Sequence, residues 1–483
     1  MKKYLTTLLL AVFFVPSFIC AQENIKMNKS EFKTEDEGFR DAWKSIKEGD
    51  RLFSKGKGLF PEAAVCYELA NNYNSESAAL NYKIGLVYLY GKEPVKALDF
   101  FLKAYDIDPE ITDDILLLTG KSYQSRGDYG KAIDCYNMYS DKYLSSDLFR
   151  SEVNELINQC NKAISFSTEE IVAEIINAGK KINSEYDDYS AVPASGGDAL
   201  YFTSRRPAGE SRDRQSQDMK WDENIYVSLR DKDGWTNSGM AGDRLNTILN
   251  EGVLHVVANG QLMYLYAGYE GQGDILVSEY DKGRWNKPYE PGIKINSSKR
   301  ETSIAVTADN NEIFFTSNRR KSIGGRDIFY IKRVRRNKWT KPYNLGEKVN
   351  STYNEEAVSV SPGGDTIWFS SNRKGGMGGY DIYMSLKDDI GLWSDPVNLG
   401  VPANSQANDL FYRRLSTGKA WLSSDRAGGE GGLDIYRLFM KEAIKQQPDT
   451  LPAFPDITDN DTISVEPDTL SLKIKRNLNP GGE

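Results

Sequence analysis

Histidine is nearly absent from this chain: of 483 residues, only His255 carries an imidazole. That scarcity rules out a histidine-rich metal site and leaves any serine or cysteine nucleophile a single possible imidazole base. No Gly-x-Ser-x-Gly turn occurs, so the strand–turn–helix nucleophile of the α/β-hydrolases is missing. The four cysteines, Cys20, Cys66, Cys135 and Cys160, are not at metal-ligand spacing. Positive charge is not in excess either; the net charge of −8 gives no reason to expect nucleic acid as a partner. Apart from Leu5 to Val15 no long apolar run is present, and that run falls short of the ~20 residues that cross a bilayer. These absences predict no metal, no cofactor and no catalytic set.

What is abundant is tyrosine, at 28 residues, and glycine, at 41, a bias that suits turn-dense β structure. Lys2 and Lys3, the apolar run and Ile19-Cys20-Ala21 read as a secretory signal over 1–21, cleaved after Ala21. The rival reading is a lipid anchor on Cys20, disfavoured because Ile19 is not small. The mature chain is therefore expected to be exported, in the periplasm or associated with the outer membrane. Cys66 and Cys135 fall at the same place in two helical repeats, too far apart to bridge, and the cysteines read as apolar packing thiols.

Residues 38–142 contain three helix–turn–helix units. The second carries Ile84-Gly85, Tyr88, Ala97, Phe101, Ala104 and Pro109, and the third Thr119-Gly120, Tyr123, Ala132, Tyr136 and Tyr139. Gly85 and Gly120 are 35 residues apart, as are Ala97 and Ala132. The first unit is looser, with Ala63, Tyr67 and Ala70 on its second helix. Such a unit cannot bury its apolar face alone, and a seventh helix over 147–164, with Val153, Leu156, Ile157 and Cys160 on one stripe, supplies the cap. The array, 38–164, resembles the tetratricopeptide repeat. The resemblance implies that the first helices line a groove for partner segments, formed here by Ala79, Tyr82, Leu86, Leu89, Asp114, Leu117, Lys121 and Gln124. The alternative is that this face packs on the next domain.

From about residue 180 a different phrase recurs. It opens with an apolar residue and asparagine: Ile182-Asn183, Leu245-Asn246, Ile295-Asn296, Val349-Asn350 and Ala403-Asn404, spaced by 63, 50, 54 and 54 residues. A strand follows, ending in a polar knot: Ser204-Arg205, Ser317-Asn318-Arg319, Ser371-Asn372-Arg373 and Ser424-Asp425-Arg426. After a glycine-rich turn a second strand opens with Asn224, Asp274, Asp327, Asp381 or Asp434, and a tryptophan (Trp235, Trp285, Trp339, Trp393) closes the phrase. Four short strands per ~50 residues with fixed aromatic and glycine signatures make a β-propeller blade. The phrases resemble the WD-repeat-like β-propellers of TolB and of Bacteroidetes envelope proteins. The fold expected is thus an α-solenoid followed over 165–440 by a propeller of five blades, or six if a degenerate one is hidden. The last copy lacks its tryptophan strand, and the spare stretch from Glu170 to Ile176 is expected to complete it and close the ring. The second copy carries Tyr266-Ala267-Gly268 in place of the knot.

The knot arginines Arg205, Arg319, Arg373 and Arg426, and the strand-opening Asp274, Asp327, Asp381 and Asp434, recur blade by blade. A catalytic set would occur once, so these read as structural braces in which each arginine faces the next aspartate across the turn, pairing or capping backbone groups. Arg319, Arg320, Lys321, Arg326, Arg333, Arg335 and Arg336 form a basic stretch. It reads as protection of an outer hairpin edge, or as a face for an anionic glycan or acidic protein. Residues 441–483 lose all periodicity, repeat Pro-Asp-Thr-Leu and read as a disordered tail. Related envelope proteins often continue into an OmpA-like peptidoglycan-binding domain, and with residues 441–483 too short for one, direct peptidoglycan anchoring is not expected. The resemblance implies a non-catalytic scaffold binding other envelope or outer-membrane proteins, in the manner of type IX secretion and gliding components. The alternative is a glycan-binding or glycan-cleaving propeller, which an acidic pair beside a tryptophan at a pocket mouth would mark.

Overall fold

A computed structural model describes residues 27–440, apart from 145–146, 169–172, 195, 210–219, 248–249, 258–259, 270–271, 337 and 417. The segment read as a secretory signal, with Cys20, the stretch read as a tail and the start of the spare stretch lie outside the described residues.

Eight helices come first: α1 Lys29–Phe32, α2 Phe39–Phe53, α3 Phe60–Asn71, α4 Ala78–Leu89, α5 Ala97–Ile107, α6 Ile115–Arg126, α7 Tyr129–Tyr143 and α8 Asp147–Ser167. They form three hairpins, α2–α3, α4–α5 and α6–α7, with α8 packed on α7. Each hairpin crosses at a glycine. A Cβ built on Gly49, Gly85 or Gly120 would lie 2.6 Å from the ring of Tyr67, Phe101 or Tyr136 respectively, closer than carbon atoms pack. Ala63, Ala97 and Ala132 are fully buried at the same three crossings. The first unit, which looks looser in sequence, therefore crosses like the others; its Gly49 is the missing counterpart. Cys160 is buried, and Cys66 and Cys135 are half-buried; all three are unbonded.

The remainder is a propeller of five blades. Blade 1 comprises Asp188–Pro193, Ala199–Ser204, Asn224–Asp231 and the short outer strands Gly234–Trp235 and Gly239–Met240. Blade 2 comprises Asn250–Val256, Leu262–Tyr269, Gln272–Asp281 and Arg284–Trp285. Blade 3 comprises Glu301–Val306, Glu312–Ser317, Asp327–Arg335, Lys338–Trp339 and Tyr343–Asn344. Blade 4 comprises Glu355–Val360, Thr366–Ser371, Asp381–Leu386 and Val397–Asn398. Blade 5 comprises Asp409–Ser416, Lys419–Ser424, Asp434–Met440 and, from the far end of the domain, Ala173–Asn177. Ala173 lies opposite Met440 and Asn177 opposite Tyr436, so the spare stretch closes the ring as expected and covers an edge that would otherwise stand open. First strands of neighbouring blades pack around the axis. The core consists of apolar layers between blades: Leu254, Ile275, Ile304 and Phe329 fill the layer between blades 2 and 3, and Ala305, Phe314, Val358 and Phe369 that between blades 3 and 4.

The recurring polar residues brace this ring, but not in the pairing expected. Arg206, Arg319, Arg373 and Arg426 reach the buried acid that opens the first strand of their own blade: Asp188 at 2.6 Å, Glu301 at 2.9 Å, Glu355 at 3.0 Å and Asp409 at 2.5 Å. Each also donates to the carbonyl of the apolar residue before the recurring asparagine, Ile182, Ile295, Val349 or Ala403. Arg205 is not the brace of blade 1; Arg206 is, and Arg205 points elsewhere. Nor do the aspartates face arginines. Asp327, Asp381 and Asp434 accept from backbone N–H groups of the glycine-rich turn, at Ile323 and Gly324, Met377, and Glu430 and Gly431. The turn folds back over the carboxylate, which makes the turn's own N–H groups the nearest donors. Asp274 lies opposite Ala267 in blade 2, where the knot is missing. The recurring asparagines work as edge mimics. Asn183, Asn246, Asn296, Asn350 and Asn404 each accept from and donate to the backbone of one isoleucine, Ile435, Ile225, Ile275, Ile328 or Ile382, at 2.7–3.0 Å.

Candidate functional site

Function in a repeat protein is best sought where the repeat departs from itself. Two positions in each blade vary most. The residue after the buried acid is Tyr189, Gly252, Thr302, Glu356 or Leu410, and the residue before the third-strand Asp or Asn is Glu223, Gly273, Arg326, Tyr380 or Leu433. All of these except Gly273 line one cavity of about 280 Å³ at one mouth of the central channel, together with Thr203, Val253, Leu254, Tyr266, Arg300 and Phe411.

The first strands deliver these side chains through bulges. Every first strand shifts register just past the buried acid. In three blades the residue at the shift is left-handed without being glycine: Ser190, Ala357 and Phe411, at φ 55°, 51° and 56°. Such backbone costs of order 1–3 kcal/mol per residue and clusters at functional positions. The bulges turn strand edges into a floor. Ser190 Oγ donates to Val253 O at 2.6 Å, and the rings of Tyr189 and Phe411 stack at 5.3 Å. Beneath them, Arg413 of blade 5 crosses the channel to blade 2, donating to Leu254 O at 2.7 Å and meeting His255 Nδ1 at 3.2 Å. A void of about 10 Å³ remains there, room for at most a water. The cavity is therefore blind. Burial, with Arg413 beside it, pushes His255 down to about 3, and burial brings Arg413 down to about 10. His255, the one imidazole, is thus a neutral acceptor bracing the floor.

Two carboxylates that are not part of the repeat face this cavity, and each is held by an arginine. Glu223 accepts from Arg205 at 2.8 Å and from Tyr189 Oη at 2.6 Å. Glu356 is ion-paired with Arg326 and accepts from Thr302 Oγ1 at 2.6 Å. Burial, and then the charge of Glu223, push the Tyr189 phenol well above its ordinary value. Arg205 and Arg326, read from sequence as brace and surface patch, are thus site residues. The signal was available: both sit at positions whose counterparts in other blades differ.

The other candidates disperse. In the basic stretch, Arg319 is an internal brace, whereas Arg320, Lys321, Arg335 and Arg336 are exposed and Arg333 lies over Trp339 at 4.7 Å. Arg333, Arg335 and Arg336 border a shallow depression at the outer end of blade 3, shared with Asp309 and Glu312. Of the helical groove, Tyr82, Leu86 and Gln124 are buried, while Ala79, Leu89, Asp114, Leu117 and Lys121 are half-buried. Tyr82 donates to Asp114 at 2.9 Å, and Gln124 joins Tyr136 to Gln159. Burial lowers the Lys121 ammonium. The array meets the propeller through its turns and cap. Gln159 Nε2 donates to Gly378 O at 3.1 Å, Gly375 N to Glu155 at 2.9 Å, Gln406 Nε2 to Ser125 O at 3.1 Å, and Lys92 to Glu185 O. These contacts lie on blades 4, 5 and 1, at loops leading into the strands that open the cavity, and so on the same face as its mouth.

No protein-family model matches this chain, and no curated protein matches it. Solved propellers resemble it weakly. A TolB from Acinetobacter baumannii shares 15% identity at a TM-score of 0.30, over 54% of this chain and 56% of that one. A TolB from Agrobacterium tumefaciens shares 15% at 0.32, over 55% and 87%. An exo-β-1,3-galactanase from Clostridium thermocellum shares 14% at 0.34, over 54% and 61%. The chain thus spans little more than half the length of the first of these. The five-bladed fold stands on its own sheets, and among the described residues no helix is long and apolar enough to cross a membrane.

Proposed function

We propose that this protein is a non-catalytic binding scaffold of a bacterial cell envelope. In this reading the helical hairpins are tetratricopeptide repeats offering one partner site, and the channel-mouth cavity offers a second. The partners are other envelope proteins, in an assembly of the secretion or gliding type known from Bacteroidetes. One observation carries the reading. Both cavity carboxylates are already neutralised by arginine, Glu223 by Arg205 and Glu356 by Arg326. A glycosidase needs one carboxyl free to give a proton and one free to attack or to activate water, and no tryptophan lines this cavity.

The test has two arms. Purified protein is incubated with aryl glycosides and chromogenic peptides, and envelope extracts are passed over immobilised wild type and a Glu223→Gln/Glu356→Gln double variant. The expected result is no turnover, together with a specific envelope protein retained by the wild type. Turnover abolished in the double variant would sink the scaffold reading in favour of a hydrolase.

A further inference from the structure

We propose that the channel-mouth cavity captures the free C-terminal carboxylate of a partner polypeptide, with Arg300 as the anion-binding group; this rests on the binding reading above. The argument begins with a broken repeat. The residue before the buried acid is Asp187, Asn250, Asn354 or Asn408 in four blades and Arg300 in the fifth. In those four the side-chain oxygen accepts from the backbone N–H preceding the third strand of the previous blade: Leu433 at 3.1 Å, Glu223 at 2.8 Å, Arg326 at 3.1 Å and Tyr380 at 3.2 Å. An arginine side chain has no acceptor, so the junction of blades 2 and 3 gives up this bond and gains a cation inside the cavity.

Among the described residues that cation has no carboxylate partner. Arg205 and Arg326 are spent on Glu223 and Glu356, whereas Arg300 makes no ion pair among the described residues and its buried Nε has no hydrogen-bond partner. Its guanidinium lies 5.6 Å over the ring of Tyr266. Tyr266 in turn takes the space left by Gly273, where a Cβ would come within 2.4 Å of the ring. A partly desolvated guanidinium without a carboxylate is costly, and a planar two-oxygen anion is its natural complement.

The rest of the lining describes what the anion is attached to. Val253, Leu254, Leu410, Phe411 and Leu433 supply apolar lining, fit for an aliphatic side chain. The cavity is blind and small, so it suits the end of a chain and not a strand passing through. Both acids are already paired, which leaves no site for an amino terminus; the free charge selects the carboxyl end, a recognised mode of peptide capture.

The experiment titrates the purified full chain with acetyl-Gly-Ala-Leu, with its C-terminal amide and with glucuronic acid, following binding by calorimetry and the integrity of each probe by mass spectrometry. The variant Arg300→Asn restores the residue that three other blades use, so it should melt at or above the wild-type temperature. The free acid should bind at least tenfold more tightly than the amide, and Arg300→Asn should abolish that preference. Equal binding of acid and amide, or undiminished binding by Arg300→Asn, would overturn the proposal. So would a variant that melts well below wild type, because Arg300 would then be structural. Glucuronate bound with no peptide bound would overturn the peptide terminus but leave the binding reading standing. A probe consumed during titration would defeat the binding reading itself.

Discussion

Blade 4 and blade 2 are built on the same phrase, and they differ in nearly every residue that the phrase does not strictly need. Blade 4 has the full set: Arg373 on Glu355, Asp381 on its turn, and Asn354 bonded back to Arg326. It also carries contacts with α8 through Gly375 and Gly378. Blade 2 has Tyr266-Ala267-Gly268 where the knot belongs, Gly252 after its acid, and the Gly273 that makes room for Tyr266. Its neighbour contributes Arg300 at the shared junction. Blade 4, which carries docking contacts with α8, is regular, and blade 2 is not. In a repeat fold, regular residues are kept by the geometry they share, so an irregular residue needs a local reason. Here the local reason is the cavity, which the irregular residues line.

The comparison breaks if the braces are dispensable. Arg373→Ala would leave Glu355, wholly buried, without its cation, and removing one partner of a buried pair costs about 3–5 kcal/mol. Urea unfolding should register this loss in full, and a loss under 1 kcal/mol would mean that the braces do not hold the ring. A smaller effect is expected at Gly378, where a Cβ would come within 2.5 Å of Ala407 O in the next blade. Gly378→Ala should cost about 1–3 kcal/mol as neighbouring backbone is pushed aside.

The architecture was largely open to reading, because it rests on spacing. Five asparagine phrases point to five blades, and a missing tryptophan strand points to the stretch from Glu170 to Ile176, within which the closing strand begins at Ala173 and from which it runs on to Asn177. Glycine and alanine at 35-residue intervals marked two hairpins. Gly49 was overlooked because the turn after it is lengthened, although Tyr67 packs on it as Phe101 packs on Gly85. The aspartates cap backbone groups, one of the two roles the spacing suggests, but they do not pair with the arginines: Arg319 lies nearer in sequence to Asp327 than to Glu301, yet the strand turn carries it inward. A further regularity, Asn-Ser/Thr followed four residues later by Asp or Glu, stands in all five phrases, as in Asn350-Ser351 and Glu355. It would have identified the true partner. The cavity was hidden for a different reason. Its residues are defined by not repeating, and a search for recurrence passes over them.

His255 offers a way to sharpen the contrast between floor and ring. Its folded value of about 3 lies below the ordinary 6.5 of an unfolded histidine. The unfolded chain therefore binds the extra proton between those values, and the neutral side chain's contribution is present above pH 6.5 and lost as pH falls towards 3. Between pH 7 and pH 5 the wild type should lose about 2 kcal/mol through this group. His255→Asn, which keeps an acceptor for Arg413, should lose less over the same interval. Parallel pH profiles for the two proteins would mean that His255 is solvated and braces nothing.

The smallest effect belongs to the outer arginines, and it separates two residues that sequence treats alike. Arg319 and Arg336 sit in one basic stretch, but Arg319 is clamped on Glu301 while Arg336 is exposed on the outer hairpin, where its carbonyl accepts from Arg333. Arg336→Gln should change stability by no more than about 0.5 kcal/mol, as surface substitutions do. Arg319→Ala should unfold the ring as readily as Arg373→Ala. If Arg336→Gln proved as damaging as Arg319→Ala, the outer hairpin would be part of the brace, and charge in this blade could not be divided into an inner set that holds the fold and an outer set that meets the solvent.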